Sequence, residues 1–202
     1  MKIIKYYILI LSAFIIVSCD NYLDIIPDNI ATMDHAFRDK TRAEQYLFQC
    51  YSYMPRNGLA QAPGRFDDFM WSHKGVAWLN QLQYTILRER NNANNPQLSY
   101  WSGTGGATNL FIGIRDCNIL IERINEVVDM DQFEKDRWAA EAKFLKAYYH
   151  FTLLQMYGPI PVIKENLPIS ASKEEVSIFR EPVDEVFDYI VQILDEAIPY
   201  LP

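Results

Sequence analysis

Residues 132–161 read QFEKDRWAAEAKFLKAYYHFTLLQMYGPIP, and this stretch decides the fold. It predicts one long helix from about Gln132 to Tyr157. Trp138, Ala142, Leu145, Tyr149 and Met156 fall on one side of that helix, and Phe144, Tyr148 and Phe151 on another. A helix that is apolar on two faces is expected to lie between neighbours. Gly158-Pro159-Ile160-Pro161 then stops it, because neither residue type continues a helix well.

The same spacing recurs on both sides. Cys117, Leu120, Ile121, Ile124, Val127 and Val128 form a stripe at helical spacing beginning near residue 109. Upstream, Thr41 and Glu44 match a capping box, and Ala43, Leu47, Cys50, Tyr51 and Met54 follow as an apolar stripe that Pro55 and Gly58 end. Downstream, Pro182 suits a first helical position, and Asp184 and Glu185 suit the first turn. Val183, Val186, Phe187, Ile190, Leu194 and Ala197 make the last stripe, closed by Pro199 and Pro202. Ala147-x3-Phe151-x7-Pro159 agrees with the second half of a tetratricopeptide repeat: a small residue admits the neighbouring helix, Phe fills the groove and Pro marks the turn. The first-helix Leu-Gly signature is missing. The expected fold is all-α, with irregular tetratricopeptide-repeat-like helix pairs and a long aromatic-rich loop region over 55–108. Trp101 and Trp138 are assigned to the helical core.

The N-terminus carries a different signal. Residues 1–18, with Lys2 and Lys5 ahead of an apolar run from Ile8 to Val17, read as a signal peptide too short to span a bilayer. Ile16-Val17-Ser18-Cys19 fits a bacterial lipobox, so Cys19 is the expected lipidation site and residue 19 the start of the mature chain. Three acyl chains on Cys19 would anchor it stably to a membrane. Cys50 and Cys117 fall on apolar helical faces and read as buried thiols, with a disulfide left open. With 19 basic against 26 acidic residues, a net charge of -7 and no dense basic patch, nucleic-acid binding is excluded.

Four segments carry a family likeness: Cys19-Asp-Asn-Tyr-Leu-Asp24 with Pro27; Trp101 with Phe111-Ile-Gly-Ile-Arg-Asp-Cys-Asn118; Glu141-Ala-Lys-Phe-Leu-Lys-Ala-Tyr-Tyr-His-Phe151 with Tyr157-Gly-Pro-Ile-Pro161; and Pro182 to Pro202. On these residues the chain resembles the N-terminal part of SusD/RagB-type outer-membrane lipoproteins. Lys143 and Lys146 stand where that family usually has Arg, which keeps the charge and loses the planar fork. Residues 19–202 are therefore expected to be a SusD-like N-terminal helical domain, truncated relative to the longer family pattern, with an unpartnered apolar stripe on its last helix. The resemblance implies a lipoprotein on the outer membrane that captures oligosaccharides or other nutrients and passes them to a SusC-like TonB-dependent transporter. Asp20 beside the lipidated Cys would favour inner-membrane retention, and the resemblance favours the surface. A helical-repeat scaffold of an envelope complex, without nutrient binding, is the competing reading.

No catalytic constellation is legible. His35, His73 and His150 lie far apart without metal-ligand spacing, so neither metal nor cofactor is expected. Gly103-Thr-Gly-Gly lacks the last glycine of a phosphate loop, and Ser170-Ala-Ser-Lys173 lacks the companion motifs of a serine acylase. Asp67 and Asp68 are adjacent, which rarely sets two carboxylates astride one glycosidic bond. Neutral sugars are held by aromatic stacking on their C–H faces and by polar groups on their hydroxyls. Trp71 and Trp78, with Arg65, Asp67, Asp68 and Asn80, supply both and form the candidate ligand site. The same two Trp residues could equally pin their loop to the body.

Overall fold

The computed structural model describes residues 33–55, 85, 88–92, 94 and 96–202. Among the described residues the regular structure is helical, with two isolated bridges, Ser99–Thr104 and Ile160–Glu181. The helices are α1 (Met33–Ala36), α2 (Lys40–Ser52), α3 (Leu110–Arg123), α4 (Gln132–Tyr157), α5 (Lys173–Val176) and α6 (Val183–Ala197). Single 3-10 turns follow α3 at Ile124–Glu126 and α6 at Ile198–Tyr200.

α4 is the shared wall of the bundle, packing against α3 and α6, with α2 resting on α3 and α4. It begins where the Asp131 side chain accepts the Glu134 N–H, and it has the bounds its sequence predicts. It ends at Gly158, whose backbone lies at φ 68 and ψ -124 with open space around the missing Cβ. Trp138, Ala142, Leu145, Tyr149 and Leu153 are buried. Tyr149 meets α3 where Gly113 has no side chain, its ring carbon 3.0 Å from where a Cβ would stand, and its hydroxyl donates to the Cys50 carbonyl of α2.

The second buried face differs from the sequence expectation. Phe144 and Phe151 remain 39% and 36% exposed, and Tyr148 is half-buried. The side turned to α6 carries Lys143, Ala147 and His150 instead: Lys143 pairs with Glu196 at 2.8 Å, and the His150 ring meets Tyr189 edge-on at 5.4 Å. Hydrophobicity alone misplaces that face. Ala147 allows close approach, and the polar groups beside it find partners at the contact.

Other boundaries shift for local reasons. Asp39, not Thr41, caps α2, accepting the Arg42 N–H at 3.0 Å, so the helix starts before the expected box. Lys40, its first residue, reaches Glu134 of α4 at 2.6 Å. Ala43, Leu47 and Cys50 are buried as expected, and α2 ends before Pro55. α3 stops at Arg123, and the 3-10 turn leaves Val127 buried while Val128 points outward at 85% exposure. Pro182 is the residue before α6 rather than its first member, and the buried stripe is Val186, Ile190, Ile193 and Ala197. Val183 and Phe187, expected on that stripe, are exposed, and Leu194 is half-buried. Ser172 forms a capping box with Glu175, which gives the Ser170–Lys173 run a structural role. Cys50 and Cys117 are buried free thiols in mutual contact.

Candidate functional site

Cys19 and the ligand residues named from sequence, Arg65, Asp67, Asp68, Trp71, Trp78 and Asn80, lie outside the described residues. Two of the concavities built from the described part are lined by Glu165 and Asn166. They adjoin the segment after α4, which leaves the helix at Gly158 and is held to the bundle by side chains. His150 accepts the Ile163 N–H at 3.2 Å, Lys146 donates to the Lys164 carbonyl at 2.6 Å, and Asn166 donates to the Arg115 carbonyl at 3.0 Å.

The first concavity is an open cleft of about 450 Å3 walled by Trp101, Phe111, Ile163, Leu167 and Ile178, with Arg115 and Asn166 among its polar groups. The turn before α3 positions Trp101. The Ser99 N–H donates to the Thr104 carbonyl at 3.0 Å, and Gly103, Gly105 and Gly106 all adopt positive φ. Leu98 and Tyr100 sink into the core beneath, leaving Trp101 half-buried at the surface. Its ring meets Phe111 at 5.0 Å and Tyr157 at 5.5 Å, both edge-on, and the Arg180 guanidinium lies 4.8 Å from its centre. Trp101 therefore packs against the helical core with one side and walls the cleft with the other, whereas Trp138 is buried.

The second concavity is a cavity of about 360 Å3 lined from α3, α4, α6 and the 164–166 segment. Lys146 lines it although the residue is only 5% exposed, and burial pushes its ammonium pKa down to about 8. Lys146 and Lys164 both place their ammonium groups 5.8 Å from the Tyr189 ring centre. Burial likewise raises the Tyr189 hydroxyl and pushes His150 down to about 4.

Sequence reading missed these groups for identifiable reasons. Lys146 reads as one more helical lysine, yet it sits between Leu145 and Ala147, a signal that its stem crosses the core edge. Arg180 and Asn166 are loop residues with no periodic pattern to mark them.

Helix pairs sharing a central wall place the chain among helical-repeat proteins of tetratricopeptide type. The chain belongs to the SusD-like family described as "Starch-binding associating with outer membrane", which it matches over residues 21–202. Two solved structures are similar. A SusD-like protein from Bacteroides fragilis is 22% identical, with a TM-score of 0.65 over 86% of this chain and 32% of its own. A laminarin-binding SusD-like protein is 25% identical, with a TM-score of 0.64 over 82% of this chain and 35% of its own. The chain thus spans about a third of the length of these two proteins. No curated protein matches it.

Proposed function

We propose that the protein is a cell-surface lipoprotein, moored by acylated Cys19, that captures oligosaccharides and delivers them to a SusC-like TonB-dependent transporter without itself catalysing a reaction. The observation that carries this reading is the family match over residues 21–202. The Trp101 cleft supports it. Apolar walls beside Arg115, Asn166 and Arg180 offer the mix of groups that a sugar's C–H face and hydroxyls require. The primary contacts proposed are Trp71 and Trp78, with Arg65, Asp67, Asp68 and Asn80 reading hydroxyls.

Laminarin is the first ligand to try, given the similar laminarin-binding structure. In affinity electrophoresis over a glycan panel led by laminarin, the protein is expected to be retarded without releasing reducing ends. Trp71→Ala and Trp78→Ala should each weaken retention about tenfold or more, as loss of a stacked aromatic anchor does. Wild-type retention by both variants would remove the site. Silence across the panel, with co-purification of a non-transport envelope complex, would favour the scaffold reading.

A further inference from the structure

The cavity between α3, α4 and α6 contains a charge that its surroundings leave incomplete. Buried cations are ordinarily paired with a carboxylate, because the desolvated charge is otherwise costly. Lys146 makes one hydrogen bond, to the Lys164 carbonyl, and no ion pair with any described residue. None of the three carboxylates that line the cavity bonds to Lys146: Glu196 accepts from Lys143 at 2.8 Å and from Gln192 at 3.2 Å, and Glu122 and Glu165 are exposed to solvent. An ammonium group has three donors, so two of those on Lys146 remain for an occupant. Lys164 flanks the same Tyr189 ring and adds a second positive charge.

The remaining lining narrows the occupant. Ile121, Ile193 and Tyr189 provide apolar wall, while Glu122 and Glu165 are exposed carboxylates and Asn118 is a buried amide. Exposed carboxylates accept from hydroxyls, and they repel a multiply charged anion such as phosphate more strongly than a singly charged one. A volume of about 360 Å3 is at the small end of ligand cavities, one sugar ring rather than a chain. We propose that this cavity binds a hexuronate, a monosaccharide bearing one carboxylate, with the carboxylate on Lys146 and Lys164 and the ring hydroxyls on Asn118, Glu122 and Glu165. The inference stands apart from glycan capture at Trp71 and Trp78.

Galacturonate and galactose test it cleanly, since they differ only in a carboxylate against a hydroxymethyl group. Calorimetric titration of the purified chain is expected to show galacturonate binding about tenfold or more tighter than galactose, as a charge-assisted contact implies. Lys146→Met and Lys164→Met should each abolish that preference, and Lys164→Met, which keeps the backbone carbonyl that Lys146 bonds, should leave laminarin retention unchanged. Methionine keeps the length and apolar packing of the lysine stem while removing the desolvated charge, and Lys164 is exposed. If Lys146→Met fails to fold, Lys164→Met decides. Bound galacturonate should also protect Lys146 of the unaltered protein from acetylation by acetic anhydride, read by mass spectrometry. Equal binding of the two sugars, no galacturonate binding, a preference that survives in the folded variants, or unprotected Lys146 would each overturn the proposal.

Discussion

His150 shows how completely a single polar side chain can be absorbed into a helical core. Its Nε2 accepts the Ile163 N–H, so the ring proton sits on Nδ1 and is donated to the Lys146 carbonyl at 2.8 Å. Protonating Nε2 would point a new N–H at an existing one, beside the Lys146 ammonium and the Tyr189 ring, in a site with no solvent exposure. Burial accordingly lowers its pKa from 6.5 to about 4. Between those values the unfolded chain binds the extra proton and the folded chain does not, so stability is lost as pH falls through the window. Urea unfolding of the wild type is expected to lose about 3 kcal/mol between pH 7 and pH 4 from this group alone. His150→Leu should remove that component of the slope. The thiols behave in the same spirit: contact with Cys50, together with burial, raises Cys117 far above the usual thiol range. Iodoacetamide is expected to label neither Cys50 nor Cys117 until the protein is unfolded, and rapid native labelling would contradict the packing described. The sequence already suggested buried thiols from their helical spacing. It could not reveal that His150 has two partners, because one of them comes from the backbone of a loop.

At the level of elements, α4 was the most legible part of the chain. Its 26 residues carry a heavily apolar side and are followed by a terminating Gly-Pro, and the structure keeps its expected bounds. Leu145 lies fully buried on that side, so Leu145→Ala should cost about 2–5 kcal/mol in chemical denaturation. The α3–α4 contact depends on Gly113, where a Cβ would stand 3.0 Å from both the Tyr149 ring and the Tyr53 side chain. Gly113→Ala is expected to destabilise by roughly 1–3 kcal/mol through overpacking, whereas the exposed Val128→Ala should fall within about 0.5 kcal/mol of wild type. What misled the reading was the weight given to Phe144 and Phe151 over Ala147 and His150. Periodicity ranks faces by hydrophobicity, but the face that α6 covers is chosen by how closely two backbones can approach. The capping box at Thr41 failed for a related reason. Asp39 is as good a cap and comes first in the chain.

For the molecule as a whole, paired helices could be inferred from the sequence, while both concavities escaped it because each needs the loop after α4 to meet residues distant in the chain. The Trp101 cleft needs three positive-φ glycines and a segment from beyond α4 to meet, and no local pattern reports that meeting. Anchoring is a whole-chain property too. Cys19→Ser is expected to shift the protein from the membrane pellet to the soluble fraction on cell fractionation, and continued pelleting would remove Cys19 as the anchor. The path of everything after α4, including the strap that walls both concavities, starts from Gly158. Its torsions are the mirror image of ordinary extended backbone, and nothing crowds the space where a side chain would go. What is demanded there is handedness, not smallness. A semisynthetic chain carrying D-alanine at 158 should melt higher than the parent by the equivalent of roughly 0.5–1 kcal/mol, and its L-alanine epimer should melt lower.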